Sequence, residues 1–154
     1  MNEFQDRRTI QQIVHTARTV AIVGLSASEL RASYFVGYYL QRHGYRVIPV
    51  NPNEERVLGE QVYPSLSDVP EHIDVVDVFR DPAAVPDIAR EAVDIDAGAL
   101  WLQFGVISPE AARIAQESGL AVVMDRCLKI EHARLLGRMH WMGFDTGVIA
   151  GSRH

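Results

Sequence analysis

The stretch that decides the fold is Val20-Ala21-Ile22-Val23-Gly24-Leu25-Ser26-Ala27-Ser28. Its first four residues are apolar and mostly β-branched, which predicts a short strand buried on both faces. Gly24 permits a sharp turn, and small residues then lead into a segment of helical period from Leu30 to His43. A buried strand, a glycine turn and a helix form the opening unit of a parallel α/β sheet.

Further apolar runs follow and alternate with segments of helical period. The predicted strands after the first are residues 46–50, 73–79, 99–102 and 120–124. The predicted helices are residues 10–17, 30–43 and 82–93, one that opens at Ser108 and closes at Gly119, and 128–136. Asp6 and Asp81 are predicted N-caps, and residues 54–70 are predicted to be a connection with one short helical turn. This alternation predicts an open, doubly wound, five-stranded parallel sheet with helices on both faces, a three-layer α/β/α domain.

The length and charge of the chain indicate how many domains it forms and which classes of protein it does not resemble. Its 154 residues suit a single domain, which we place at residues 1–136, followed by a C-terminal tail at residues 137–154 without periodicity. The formal net charge of −5 is unlike the basic surface of proteins that bind nucleic acids or membranes. One cysteine, Cys127, and the lack of a signal-like or membrane-spanning run favour a cytoplasmic protein. Neither histidines nor cysteines have metal-ligand spacing, so no metal site is predicted.

The ligand site is predicted beyond the carboxyl ends of the strands, where such sheets bind small molecules. The loop from Gly24 to Ser28 is small enough for its backbone amides to approach a phosphate, and Arg31 adds positive charge. The alternative is a plain strand-to-helix turn with Ser28 as the helix N-cap.

The same loop departs from two common nucleotide motifs. The dinucleotide fingerprint needs glycines at positions 26 and 29, where this chain has Ser26 and Glu29, and the P-loop lysine motif is missing. The second strand ends in Asn51 rather than in the acidic residue that holds the ribose hydroxyls in NAD enzymes. A neutral strand end tolerates a ribose phosphate better than a carboxylate would, because two anions repel.

Seven motifs in this order resemble the small stand-alone CoA-binding proteins, which are related to the N-terminal domain of the succinyl-CoA synthetase alpha subunit. They cover roughly residues 15–135 and are Ile22-Val23-Gly24-Leu25-Ser26, Ser33-Tyr34, Gly44-Tyr45-Arg46-Val47-Ile48-Pro49-Val50-Asn51-Pro52, Tyr63-Pro64-Ser65-Leu66, Val75-Val76-Asp77-Val78-Phe79-Arg80, Trp101-Leu102-Gln103-Phe104-Gly105-Val106 and Met124-Asp125-Arg126-Cys127-Leu128-Lys129-Ile130-Glu131-His132. The resemblance implies a Rossmann-like domain that binds coenzyme A as its small-molecule nucleotide ligand. The synthetase's phosphorylated histidine belongs to a second domain, and no position of this chain inherits it.

The resemblance also implies a set of binding residues. The Gly24–Ser28 loop faces the pyrophosphate, Val50, Asn51 and Pro52 line the adenosine end, Phe79 and Arg80 close over the nucleotide, and Gln103, Gly105 and Val106 lie toward the pantetheine. The full predicted set is Gly24, Leu25, Ser26, Ala27, Ser28, Arg31, Ser33, Tyr34, Val50, Asn51, Pro52, Phe79, Arg80, Gln103, Gly105, Val106, Arg126 and Cys127.

Three functions remain open on the sequence alone. The preferred hypothesis is a CoA or acyl-CoA binding protein that acts as a carrier, sensor or subunit, without catalytic residues of its own. The alternatives are an NAD(P) oxidoreductase and a protein that transfers acyl groups or thiols through Cys127, whose basic neighbours Arg126 and Lys129 favour the thiolate. A buried structural role is the simpler interpretation of Cys127. Whether the chain is an enzyme stays undecided, with the balance toward a binding protein.

Two further expectations concern single features. Asp77 stands inside an apolar strand, and we expect its carboxyl group to hydrogen-bond a neighbouring loop. The apolar residues of the tail, such as Trp141 and Phe144, are candidates for a contact with a second copy of the chain or with a partner protein.

Overall fold

The computed structural model describes the backbone of residues 4–141 and the side chains of residues 4–135. The helices are α1 (Arg7–Thr16), α2 (Ala32–Arg42), α3 (Val85–Asp94), α4 (Pro109–Glu117) and α5 (Leu128–Trp141). The strands are β1 (Thr19–Val23), β2 (Arg46–Val50), β3 (Arg56–Val57), β4 (Glu60–Gln61), β5 (Val75–Val78), β6 (Ala99–Leu102) and β7 (Ala121–Met124). Two short 3₁₀ turns lie at Leu66–Asp68 and Pro82–Ala84.

Five strands form one parallel sheet in the order β2-β1-β5-β6-β7. The chain runs from β1 to β2 on one side and then returns to place β5 on the other side of β1. Strand order therefore reverses between β1 and β5, and the loops after these strands diverge and leave room for a ligand. The predicted Rossmann-like, doubly wound α/β domain is confirmed.

The sheet is buried on both faces, as its nearly continuous apolar strands predict. Alternate residues of each strand point to opposite faces, so that Val20 and Ile22 pack with α1, α2 and α5, whereas Ala21 and Val23 pack with α3 and α4. Trp101 is fully buried on the first of these faces. Each large apolar side chain removed from water in this way contributes about 1.5–3 kcal/mol, which makes these two layers the source of stability.

The connection between β2 and β5 contains a hairpin that the sequence did not reveal. Strands β3 and β4 pair antiparallel, and the two residues between them, Leu58 and Gly59, both have positive φ, at 55° and 78°. Two-residue hairpin turns need this backbone twist, and Asn-Gly or Asp-Gly is its usual sequence signal. Leu58 hides that signal, because a leucine rarely adopts positive φ.

The ends of the helices agree with the predicted caps at some positions and differ at others. Asp6 and Ser108 cap α1 and α4 through their side chains, as predicted. Asp81 makes no such bond, because a 3₁₀ turn precedes α3 and delays its start to Val85. Helix α5 continues through the predicted boundary at residue 136, and the division into domain and tail stays a prediction. Residues 142–154 and the side chains from residue 136 onward, with the expected partner contact, lie outside the described residues.

Candidate functional site

A cavity of about 620 Å³ opens at the carboxyl ends of β1, β2, β5 and β6, at the reversal of strand order. Its volume falls within the range of small-molecule sites. The residues that line it are Gly24, Ser26, Arg31, Ala32, Ser33, Asn51, Asn53, Glu54, Phe79, Arg80, Asp81, Pro82, Phe104, Gly105 and Val106.

Gly24 ends β1 at a point where two backbone segments nearly touch. Its φ is +91°, and a Cβ built on it would lie 2.3 Å from the carbonyl oxygen of Phe79. Its amide donates to the carbonyl oxygen of Val50 at 2.8 Å. Only glycine permits both the positive φ and this approach, so Gly24 fixes where the loops after β1 and β5 meet.

The loop after Gly24 is held together by side chains. The amide of Ser26 donates to Ser33 Oγ at 3.0 Å, and the amide of Ser28 donates to Ser26 Oγ at 3.0 Å. The amide of Ala27 donates to a carboxylate oxygen, Glu54 Oε2, at 2.9 Å. In this structure these three loop amides are therefore engaged by protein oxygens, not turned toward open solvent as the sequence led us to expect.

Helix α2 supplies different donors to the cavity. Its N-cap position is Arg31, without a side-chain cap bond, so Ser28 is not the N-cap of the plain-turn alternative. Ser28 Oγ instead accepts from the amide of Leu30 at 3.4 Å. The amides of Ala32 and Ser33 open the helix, and the described part of the chain offers them no acceptor. Helix N-termini of this kind favour anions, because their unpaired N–H groups carry partial positive charge.

Two guanidinium groups bring positive charge to the cavity. Arg31 and Arg80 both line it and are exposed, and neither forms an ion pair within residues 4–135. Two carboxylates, Glu54 and Asp81, line the same cavity. Glu54 accepts the amide of Ala27, whereas the two guanidinium groups make no ion pair among the described residues and could donate to an anion.

Asn51 joins the two loops that frame the cavity. Its Nδ2 donates to the carbonyl oxygen of Leu25 at 3.1 Å, and its Oδ1 accepts from the amide of Asn53 at 2.9 Å. The neutral side chain at this strand end therefore braces the backbone from both sides. A carboxylate in its place would accept from Asn53 but could not donate to Leu25.

The structure gathers half of the predicted site residues around the cavity. Those that line it are Gly24, Ser26, Arg31, Ser33, Asn51, Phe79, Arg80, Gly105 and Val106. Those that do not line it are Leu25, Ala27, Ser28, Tyr34, Val50, Pro52, Gln103, Arg126 and Cys127.

The residues outside the cavity have other surroundings. Leu25 and Val50 are core residues, because the first positions at a strand end still point into the layers. Gln103 is buried, and its Oε1 accepts from the amide of Leu128 at the start of α5. Tyr34 stacks on Tyr38 along α2, with ring centroids 6.5 Å apart.

Cys127 and Arg126 follow β7 and do not line the cavity. The carbonyl oxygen of Cys127 accepts from the amide of Glu131 in the first turn of α5, and its half-buried side chain packs against the core. Arg126 borders a separate groove of about 160 Å³ between α1 and α5. The Nζ of Lys129 lies over the ring of Tyr39, 5.2 Å from its centroid.

Asp77 has no hydrogen-bonding partner for either carboxylate oxygen and is fully buried, so the expected bond to a loop is wrong. It faces the layer formed by α1, α2 and α5, in register with Ile22 and Trp101. Desolvation by burial raises the pKa of Asp77 well above its ordinary value, so the protonated, neutral form is favoured.

Six lining residues were missing from the predicted set: Ala32, Asn53, Glu54, Asp81, Pro82 and Phe104. Most are chain neighbours of predicted residues and follow from the same strand ends. Glu54 is different, because it lies four residues beyond β2 and its contact with Ala27 joins two loops that are 27 positions apart in the chain. Among the residues described, no group of three or more His, Cys, Asp or Glu side chains is arranged to hold a metal ion. No helix in this part of the chain is long and apolar enough to cross a membrane.

Comparisons with known proteins agree with this architecture. A family model described as a CoA binding domain matches residues 18–133. The uncharacterized protein YneT of Bacillus subtilis is 38% identical over 124 residues, which are 80% of this chain and 92% of that protein. A hypothetical protein from Pyrococcus horikoshii has a similar structure, with a TM-score of 0.83 and 38% identity over 89% of this chain and all of that one. An ADP-forming acetate–CoA ligase of Methanocaldococcus jannaschii is 25% identical over 126 residues, 77% of this chain but 18% of the ligase.

Proposed function

The chain belongs to the CoA-binding domain family, and from this premise we propose that it binds coenzyme A or an acyl-CoA in the cavity at the strand ends. We further propose that it acts as a carrier, sensor or subunit and leaves chemistry to another protein. This chain matches only 18% of the length of the acetate–CoA ligase of Methanocaldococcus jannaschii.

The observation that supports the proposal is the pair of unpaired guanidinium groups of Arg31 and Arg80 at one cavity of an acidic protein. Coenzyme A carries a diphosphate and a ribose phosphate, and planar guanidinium groups bind such oxygens through paired, charge-assisted hydrogen bonds. The amides of Ala32 and Ser33 add donors from α2. In our proposal these groups hold the phosphates.

The remaining walls suit the ends of the ligand. Asn51 and Asn53 offer polar groups at the end of β2, where we place the adenosine. Gly105 and Val106 line the side next to β6, where we place the pantetheine arm. Phe104 is 74% exposed at this rim and offers an apolar surface to that arm.

The alternatives find less support in the geometry. Cys127 does not line the cavity, and the Nδ1 of its nearest histidine in sequence, His132, is 2.8 Å from the hydroxyl of Tyr39. Thiol or acyl transfer at Cys127 would therefore need the arm to reach beyond the cavity. The NAD(P) hypothesis lacks the glycines and the acidic strand end that hold a dinucleotide in the familiar way.

The proposal is tested by isothermal titration with coenzyme A, with dephospho-CoA and NAD as comparison ligands. Arg31→Ala and Arg80→Ala should each weaken CoA binding about tenfold, because each removes a charged hydrogen bond to phosphate. Arg113→Ala is the matched control, since Arg113 is exposed on α4 and lies outside the cavity. No binding at millimolar CoA, or equal affinity in all three variants and the unaltered protein, would contradict the proposal.

A further inference from the structure

We propose that Glu54 is an internal anion that competes with the ligand's phosphate for the β1–α2 loop. The inference rests on the proposed function and adds to it a residue that sets affinity and selectivity. Glu54 Oε2 accepts the amide of Ala27 at 2.9 Å, at the loop where a nucleotide-binding sheet of this kind places a phosphate oxygen. A ligand phosphate gains that amide only when the carboxylate leaves it.

The contact is built so that only the side chain needs to move. The backbone at Glu54 is anchored, since its amide donates to the carbonyl oxygen of Asn51 at 3.5 Å and Asn53 is bonded to the Asn51 side chain. The side chain reaches from the turn after β2 to the amide of a residue 27 positions earlier in the chain. Rotation about its own bonds would open the amide without unfolding either loop.

Electrostatics decide which anion holds the loop. A carboxylate and a phosphate are both acceptors for a backbone amide, and they repel each other when they share a site. A diphosphate also engages the unpaired Arg31 and Arg80, which the single carboxylate of Glu54 does not pair with. The diphosphate therefore displaces Glu54, whereas a ligand without phosphate has nothing to offer the arginines and leaves the contact in place.

This competition lowers the affinity for ligands that bring a phosphate to the Ala27 amide. Only molecules in which Glu54 has left the Ala27 amide can bind a ligand that needs this amide. The apparent association constant is therefore the intrinsic constant multiplied by the fraction of such molecules. Removing the carboxylate should therefore tighten CoA and ADP binding and leave pantetheine, which carries no phosphate, unchanged. Glu54 in this proposal is a specificity residue at the rim of the site.

The test compares Glu54→Gln and Glu54→Ala with Glu55→Gln by isothermal titration. Glu55 is the adjacent, exposed carboxylate, does not line the cavity, and its substitution makes the same change in net charge. We expect both Glu54 variants to bind CoA and ADP about fivefold to tenfold more tightly than the unaltered protein. The affinity of Glu55→Gln for CoA and ADP should stay within about twofold of that of the unaltered protein. The affinity for pantetheine should stay within the same range in all the variants.

A second measurement follows the Ala27 amide directly by ¹H–¹⁵N NMR. In Glu54→Ala the Ala27 resonance should shift relative to the unaltered protein, because the charge-assisted bond is lost, while the core resonances stay in place. An unchanged Ala27 resonance would overturn the inference.

The titrations separate this inference from the proposed function. CoA binding that is equal in Glu54→Gln and Glu55→Gln would overturn the competition and leave CoA binding standing. Weaker CoA binding by Glu54→Gln would do the same, because it would make Glu54 a ligand contact. Failure of CoA to bind any of the proteins would overturn the proposed function itself, and the competition with it.

Discussion

Replacing Asp77 with asparagine removes a titrating group from the core and should abolish one component of the pH dependence of stability. Burial raises the pKa of Asp77 well above its ordinary value, and neither oxygen has a partner. In the unfolded chain an aspartate releases its proton near pH 4. Between that pH and the higher pKa of the folded protein, the folded state binds one proton more than the unfolded state does.

The sign and size of the effect follow from this difference. Because the folded state binds the extra proton, the free energy of unfolding falls by about 1.4 kcal/mol for each pH unit within that interval. Two pH units within it therefore correspond to about 2.7 kcal/mol. Asparagine has nearly the same shape and takes up no proton, so the free energy of unfolding of Asp77→Asn should lack this decline. Relative to the unaltered protein, the variant should become more stable as pH rises from 4.5.

The assay is urea unfolding followed by circular dichroism at half-unit steps from pH 4.5 to pH 7.5. Asp94→Asn, at an exposed position at the end of α3, makes the same chemical change as a control and should run parallel to the unaltered protein. The reasoning is refuted if the Asp77→Asn curve is also parallel to the unaltered protein, since Asp77 would then titrate alike in both states.

Three further substitutions test the backbone and the surface. Gly24→Ala should lower the free energy of unfolding by about 3 kcal/mol or more, because its Cβ would lie 2.3 Å from the carbonyl oxygen of Phe79. Gly59→Ala, also at positive φ but with open space around it, should lose only about 1–2 kcal/mol in the same urea titration, and equal losses would speak against the close approach. Hydrogen bonds from Arg46 lower the pKa of Glu71, so this pair stabilises the fold above the unfolded pKa near 4.3 and the gain disappears as pH falls through the folded pKa. Both side chains are over a third exposed, so Glu71→Gln should lose less than about 1 kcal/mol at neutral pH and low salt, and a loss that persists at pH 3 or in 1 M salt would contradict an ionic origin.

The sequence alone determined the layers of this protein and the end of the sheet that carries the site. Short β-branched runs such as Val20–Val23 predict buried strands from local sequence alone, because a strand that is buried on both faces needs apolar residues at nearly every position. Helical periods between the runs then leave a parallel sheet as the arrangement that buries both faces. The sequence pattern alone places Arg80 just beyond the end of a strand and Arg31 at the start of the helix that follows the first strand.

Only the tertiary structure decided which of these residues meet. Three features depend on which strands are neighbours in the sheet. They are the bond between Glu54 and the Ala27 amide, the close approach of Gly24 to Phe79, and the absence of Cys127 from the cavity's lining. The sequence shows Asp77 as an acidic residue inside an apolar strand, but it does not show that the carboxylate oxygens lack a hydrogen-bonding partner. Contacts between segments far apart in the chain arise from packing in three dimensions, which local sequence patterns constrain without fixing.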